Sequence, residues 1–283
     1  MNQYHFELLG LRVRLQTPAA VQISERLQPF LSNSLSERAD CTITISHNRA
    51  LPQPNRSGIW HGPECYDRSG ETLEIFHCHT PYGSPFAVTQ LEKEGNIQIT
   101  VDPDYADYFS GTSGIFNRIG FENLLLQRKG LLLHASLIEY AGHGIAFTGP
   151  SGIGKSTQAE LWRSCYGANI LNGDRAALRK TEQGWIAYGS PYAGTSGIYR
   201  KESVPLTAVV VLDQGQENTL RRLSGGEAMA AVWPEISARR GDGIFVAEAT
   251  ALCAELLTDI PAYTLKCLPG ESAAALLKKG LHL

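Results

Sequence analysis

Between Ile145 and Thr157 the chain reads IAFTGPSGIGKST, an apolar stretch running into a glycine-rich loop that ends in Lys-Ser-Thr. Gly149, Gly154, Lys155 and Ser156 satisfy the spacing G-x-x-x-x-G-K-[ST]. Few patterns restrict a fold as tightly, because this loop requires a buried strand before it and a helix after it. Ile145, Ala146 and Phe147 read as that strand. Thr157 to Tyr166, with Ala159, Leu161, Trp162 and Tyr166 available for burial, reads as an amphipathic helix. The glycines permit a tight wrap in which backbone N–H groups point inward and cradle phosphate oxygens. Pro150, Ser151, Gly152, Ile153 and Thr157 complete the cradle. Lys155 is placed to reach the β/γ-phosphates and Ser156 to offer its hydroxyl to Mg²⁺. The helix start adds its positive dipole end to the same place. The pattern therefore implies a nucleotide as ligand, with Mg²⁺ beside its phosphates.

Composition narrows the remaining classes. The 283 residues are 43% hydrophobic and 19% charged, with a net charge of −3, as in an ordinary globular protein of one large or two modest domains. No dense Lys/Arg cluster occurs, which argues against nucleic acid as a partner. The pairs Arg221-Arg222 and Arg239-Arg240 read as solvated faces. The N-terminal MNQYHFELLGLRVRLQTP is charged throughout and unlike a signal peptide, and no apolar run is long enough to span a membrane. A cytoplasmic protein with no membrane partner is expected. The six cysteines form no C-x-x-C and are expected as reduced, mostly buried thiols. In His77-Cys78-His79, neighbours on a strand face opposite ways, so only His77 and His79 can share a metal.

Residues 1–112 read as β-rich, with a hairpin turning at Gly10, alternating runs at 42–46, 73–77 and 97–101, and one short helix within 19–32. The segment Asp102–Gly114 reads as a loop between the halves. Residues 113–283 form a second domain around the glycine-rich loop. A helix is expected over 115–129 with Gly130 as its C-cap, then strands at 131–135 and 137–140. A strand at 168–171 follows the loop helix, and a hairpin turns at 182–184. A β-branched strand at 208–212, helices at 225–240 and 243–258, a strand at 263–268 and a helix at 272–279 complete the chain. The expected class is α/β (α+β), a β-rich N-terminal domain followed by a domain with a mixed sheet.

A second metal ligand is expected from an aspartate at the end of a neighbouring apolar strand. Asp174 follows Ile170-Leu171, and Asp213 follows Val209-Val210-Val211-Leu212. The pattern alone leaves both open, with Asp213 the better match to an apolar strand.

The segments LLLHASLIEYAGHGIAFTGPSGIGKST and ILNGDRAAL resemble the catalytic domain of HPr kinase/phosphorylase and, more distantly, ATP-dependent phosphoenolpyruvate carboxykinase. The resemblance places His134 at that family's strand histidine, Gly149 to Ser156 at its loop, and Asp174 at the second acid of its acidic pair, favouring Asp174 over Asp213 as the Mg²⁺ ligand. The first acid, which acts as base in the family, falls on Gly173, so the resemblance leaves that role to His134, to a substrate group or to a carboxylate from elsewhere. The downstream GSPYAGTSGIYR is more like HPr-kinase-related proteins found beside peptide-modifying enzymes, a group that includes kinases of peptide hydroxyls and of free serine. What this implies is an ATP-dependent kinase with a hydroxyl acceptor on a peptide, protein or small metabolite. Arg175 and Arg200 would meet the transferred group or an acceptor carboxylate. Related kinases often assemble, so a homo-oligomer is compatible with the resemblance. Gly173 also admits a non-catalytic nucleotide-binding module, and Asp213 an ordinary loop ATPase or GTPase.

Overall fold

The structure, a computed structural model, describes residues 1–32, 38–92, 95–268 and 270–283. The chain is a mixed α+β protein with two multi-stranded sheets. It divides into two compact units, one of residues 1–127 with 239–246, the other of residues 128–238 with 247–283.

In the first unit, strands β1 (Asn2–Leu8), β2 (Leu11–Thr17), β3 (Cys41–His47), β4 (Ile59–His61), β5 (Glu64–Ser69), β6 (Thr72–Cys78), β7 (Pro85–Leu91) and β8 (Asn96–Val101) form one sheet in the order β1-β2-β3-β8-β7-β6-β5-β4. The β1–β2 hairpin turns on Leu9 and Gly10, both at positive φ, as a two-residue turn between right-twisted strands requires. The helix expected within 19–32 is a 3₁₀ helix over Glu25–Phe30. The segment read as a loop contains a 3₁₀ helix, Pro103–Phe109, started by the Asp102 side chain accepting from the Asp104 N–H.

The single helix expected over 115–129 is two, α1 (Thr112–Phe116) and α2 (Phe121–Gln127), because Gly120 takes φ +64° between them. Lys129 at φ +53°, not Gly130, ends the helical segment, and Gly130 opens the next strand.

Arg239 corrects the reading of a solvated basic pair. Its side chain is only 13% exposed and sits 3.4 Å from both Glu64 and Glu122, while donating to the Tyr66 hydroxyl at 2.7 Å. Tyr66 in turn donates to Glu64. Burial disfavours the charge on Glu64. Hydrogen bonds from His77 and Tyr66, with the charge of Arg239, overcome it and hold the carboxyl at about 2. Burial drives His77 toward its neutral form, so the cation facing Glu64 at neutral pH is Arg239. His77 is thus a buried member of a hydrogen-bond network, 2.9 Å from Thr89, and His79 stacks on Phe86.

The second unit is built on strands β9 (Gly130–Tyr140), β10 (His143–Thr148), β11 (Asn169–Asn172), β12 (Arg175–Thr181), β13 (Gly184–Tyr188), β14 (Ser203–Gln214), β15 (Thr219–Arg222) and β16 (Ala262–Cys267). The expected strands at 131–135 and 137–140 are one, β9. Its first half pairs with β12 and its second half with β10 and β11. Likewise β14 pairs with β13 at its start, then runs parallel to β10 and β16. The helices are α3 (Lys155–Tyr166), α4 (Gly225–Val232), α5 (Gly243–Asp259) and α6 (Glu271–Gly280).

Helices α3 and α6 cover one sheet face. Trp162 and Ala159 from α3 and Ala274 and Leu277 from α6 pack on Ile138, Ile145, Phe147, Val210 and Leu265. Trp162 is fully buried, which makes it a large contributor to holding the loop helix in place. The helix expected over 225–240 stops at Val232. Pro234 opens a 3₁₀ turn, Trp233–Glu235, because proline has no N–H to continue the ladder. All six cysteines are free. Among the described residues no helix is long and apolar enough to cross a membrane.

Candidate functional site

The glycine-rich loop joins β10 to α3 as the sequence requires. Gly149, Gly152 and Gly154 adopt φ of +134°, +80° and +112°, values that side chains disfavour. The side chain of Lys155 is turned into its own loop, donating to the carbonyls of Gly149 at 2.8 Å and Pro150 at 3.2 Å. Lys155 is 8% exposed. Burial lowers its pKa, and the charges of Glu235 and Asp174 pull the other way. Two carboxylates and the loop lysine therefore share one electrostatic environment. Ser151, Gly152, Ser156 and Thr157 are exposed, leaving the mouth of the loop open.

Strand register sets the rest of the site. Thr148, the last residue before the loop, pairs with Ala135 and donates its hydroxyl to the His134 carbonyl at 2.9 Å. On the other side of β9, Arg175 pairs with His134. The loop entrance, His134 and Asp174-Arg175 thus lie at one level of the sheet. His134 Nε2 is 3.6 Å from Asp174, and Arg175 Nε is 3.7 Å from the other Asp174 oxygen. Arg175 also donates to the Ser237 hydroxyl at 3.1 Å and lies over the Tyr192 ring.

Glu235, absent from the sequence reading, completes the cluster. Its carboxylate accepts from His134 Nδ1 at 2.9 Å. The turn carrying it is stitched to β9 by a bridge from Ile236 to Leu133 and by Ser237 N–H donating to the Leu132 carbonyl at 2.8 Å. With its Nδ1 proton given to Glu235, the imidazole presents Nε2 toward Asp174.

The turn at Asp174 is held by fully buried Asn172. Its side-chain oxygen accepts from the N–H groups of Asp174 at 2.8 Å and Arg175 at 2.6 Å. Its amide nitrogen donates to the carbonyls of Ser190 at 2.9 Å and Tyr192 at 3.2 Å. One side chain thereby ties the acidic turn to the segment 189–197. Gly194 approaches so closely that a Cβ there would lie 2.7 Å from the Asp174 carboxyl carbon. At Gly173 a Cβ would lie 1.9 Å from the Ser196 hydroxyl oxygen and 2.5 Å from its Cβ. The space a side chain at 173 would enter is occupied by Ser196.

Two candidates lie apart from this cluster. Arg200 pairs with Glu202 at 3.6 Å, although its backbone N–H reaches the Leu171 carbonyl. Asp213 is half exposed and 3.5 Å from Lys266.

Among the described residues no group of three His, Cys, Asp or Glu side chains converges as a metal cage. Ser156 and Asp174 supply a hydroxyl and a carboxylate. That oxygen donor set suits Mg²⁺, which characteristically keeps waters and phosphate oxygens as its other ligands.

Fold and loop together define a mixed α+β protein with a Gly-Lys-Ser loop between a buried strand and a helix. The family described as "SynChlorMet cassette protein ScmC" matches residues 121–268, just over half of the chain, and the chain belongs to that family. No curated protein matched it. Among solved structures, the Hpr(Ser) kinase/phosphatase from Coxiella burnetii is similar at 13% identity and a TM-score of 0.32, over 53% of this chain and 88% of that one.

Proposed function

We propose that this chain is an ATP-dependent phosphotransferase that moves the γ-phosphoryl group to a hydroxyl acceptor. The observation supporting this best is the Asp174–His134–Glu235 cluster lying level with the entrance of the glycine-rich loop. ATP would be held by residues 149–157, with Lys155 turning from its loop carbonyls to the phosphates. Mg²⁺, held by Ser156 and Asp174, supplies neutralisation of phosphate charge when bound. Glu235 fixes the imidazole of His134 so that Nε2 accepts the proton of the attacking hydroxyl. Arg175, anchored by Ser237 and Tyr192, meets negative charge at the transferred group. The rest of the catalysis is positioning.

A second reading, a nucleotide-binding module without transfer, is favoured by the crowding of Gly173, which leaves no room for an acid there. Single-turnover transfer of γ-labelled phosphate from ATP into an extract of the source cells separates the two, with Lys155→Ala as control. Label seen with the wild type alone supports the phosphotransferase. MgATP binding without label supports the module.

A further inference from the structure

The turn that carries Glu235 runs on into residues of the first unit, passing from one unit to the other at the peptide bond between Ala238 and Arg239. Residues 235–242 therefore form one strap with an anchor in each unit. In the second unit, Glu235 accepts from His134 Nδ1 at 2.9 Å, and Ile236 bridges to Leu133. Ser237 donates its N–H to the Leu132 carbonyl at 2.8 Å, and its hydroxyl accepts from Arg175 at 3.1 Å. In the first unit, β5 presents Glu64, Tyr66 and Arg68 on one face, since alternate residues of a strand point the same way. Glu64 lies 3.4 Å from Arg239, and Tyr66 accepts from it at 2.7 Å with the ring 5.5 Å from the guanidinium. Glu122 of α2 adds a second carboxylate at 3.4 Å. Arg68 meets one oxygen of buried Asp242 at 2.6 Å, and the other oxygen accepts from the N–H groups of Ile244 and Phe245 at 3.1 and 3.2 Å. The strap is thereby closed onto the start of α5.

We propose that Arg239 is a positioning residue for the His134–Glu235 pair, and that the clamp on it sets the register in which Glu235 meets the imidazole. Its effect on transfer rests on the phosphotransferase reading above; its effect on the imidazole does not. The argument concerns slippage. On the His134 side the strap is held to β9 by the Ile236 bridge and the Ser237 hydrogen bond, a short attachment. Ile236 is extended, with φ −71° and ψ 127°. In an extended pairing, a slip of one residue turns each side chain to the opposite face. Such a slip would carry Glu235 away from His134. The clamp at 239 opposes it, because the planar fork of an arginine engages two carboxylates and a phenol in one geometry and so fixes position as well as charge. With Ala238 alone between the anchors, the link has no length to take up a slip of about 3.3 Å. The Glu64 carboxyl, held at about 2, keeps the clamp charged at neutral pH.

The test uses the full chain with isotope-labelled histidine ring nitrogens, read by NMR at about pH 8.5, above the ordinary imidazole range. His134→Asn assigns the signal by its loss, and Glu235→Ala supplies the reference for an imidazole without its carboxylate. In the wild type the proton is expected on Nδ1. Inserting Gly-Gly between Ala238 and Arg239 keeps every anchoring side chain and gives the link slack. This variant is expected to move His134 toward the Nε2-protonated tautomer, as Glu235→Ala does. It is also expected to lower labelling of a source-cell extract from γ-labelled MgATP at least tenfold, with MgATP affinity unchanged. Arg239→Lys keeps the charge but loses the fork, and is expected to move the tautomer in the same direction by less. A His134 signal that neither variant changes overturns the proposal, including where labelling falls, since Arg239 would then act on stability alone. A shifted His134 signal in a protein that binds MgATP and labels nothing sinks the phosphotransferase reading and leaves the positioning role standing.

Discussion

Replacing Gly173 by alanine tests the packing that separates this site from an acidic one. A Cβ at 173 would stand 1.9 Å from Ser196 Oγ and 2.5 Å from Ser196 Cβ, so rotating the hydroxyl does not relieve the clash and the backbone of the segment must move. Ser196 resists that movement, because its hydroxyl donates to the Ala193 carbonyl at 2.7 Å and accepts from the Ile198 N–H at 3.2 Å. Overpacking of this kind costs about 1–3 kcal/mol, and the two hydrogen bonds are worth about 1 kcal/mol each. Gly173 is not at positive φ, so alanine regains about 0.4–1 kcal/mol from the unfolded chain. The net expectation is a loss of about 1–4 kcal/mol. That corresponds to roughly 2–4 °C in melting temperature per kcal/mol for a unit of this size. The clash belongs to one pair, so Ser196→Gly in the same chain should restore most of the loss, giving a coupling of about 1 kcal/mol or more in a double-mutant cycle by urea unfolding. A neutral Gly173→Ala, or a cycle that sums to zero, would refute the claim that Ser196 fills the place of the missing side chain.

Two further outcomes are expected. Asp174→Asn should abolish the Mg²⁺ dependence of ATP binding while Asp213→Asn leaves it intact; isothermal titration with and without Mg²⁺ reads this, and the reverse pattern would reassign the metal to the Asp213 strand. Glu64 has a carboxyl at about 2 in the fold against an ordinary 4.5, so it contributes stability that is fully present above pH 4.5 and is lost as pH falls toward 2. The contribution is at most on the order of 3 kcal/mol. Buried His77, held toward its neutral form, pulls the same way below its ordinary pKa of 6.5, and Glu64→Gln should flatten the urea-midpoint profile between pH 5 and 2. An unchanged slope would show that Glu64 is not the titrating group.

The sequence made the centre of the site legible because the chemistry there is local. Strand, loop and helix around Lys155 follow one another without interruption, and Asp174 sits one turn beyond the next strand. Glu235 was hidden for two reasons. It reaches His134 across 101 positions of chain, and it fell inside an expected helix over 225–240. Pro234 was the available signal, since a proline there ends the helix and opens the turn that carries the carboxylate. The break at Gly120 was equally open to reading, whereas Arg239 was not. Nothing in an Arg-Arg pair announces that its first member will be buried between Glu64 and Glu122. The contact between Gly173 and Ser196 depends on how the segment 189–197 folds back, which Asn172 decides through five hydrogen bonds no spacing rule encodes.

Strands β9 and β14 each change partners along their length, so β10, β9, β12, β13 and β14 close into a continuous circuit in which β10 rejoins β14. A circuit of this kind behaves as a hoop, since pulling any strand loads all the others. The histidine on β9 and the acidic turn before β12 are set into that hoop, and their separation is fixed by its circumference. The pieces outside it, the segment 189–197 and the turn 233–237, are attached by a handful of hydrogen bonds. The frame thus sets the backbone of His134 and Asp174, while the two attached pieces set what their side chains face.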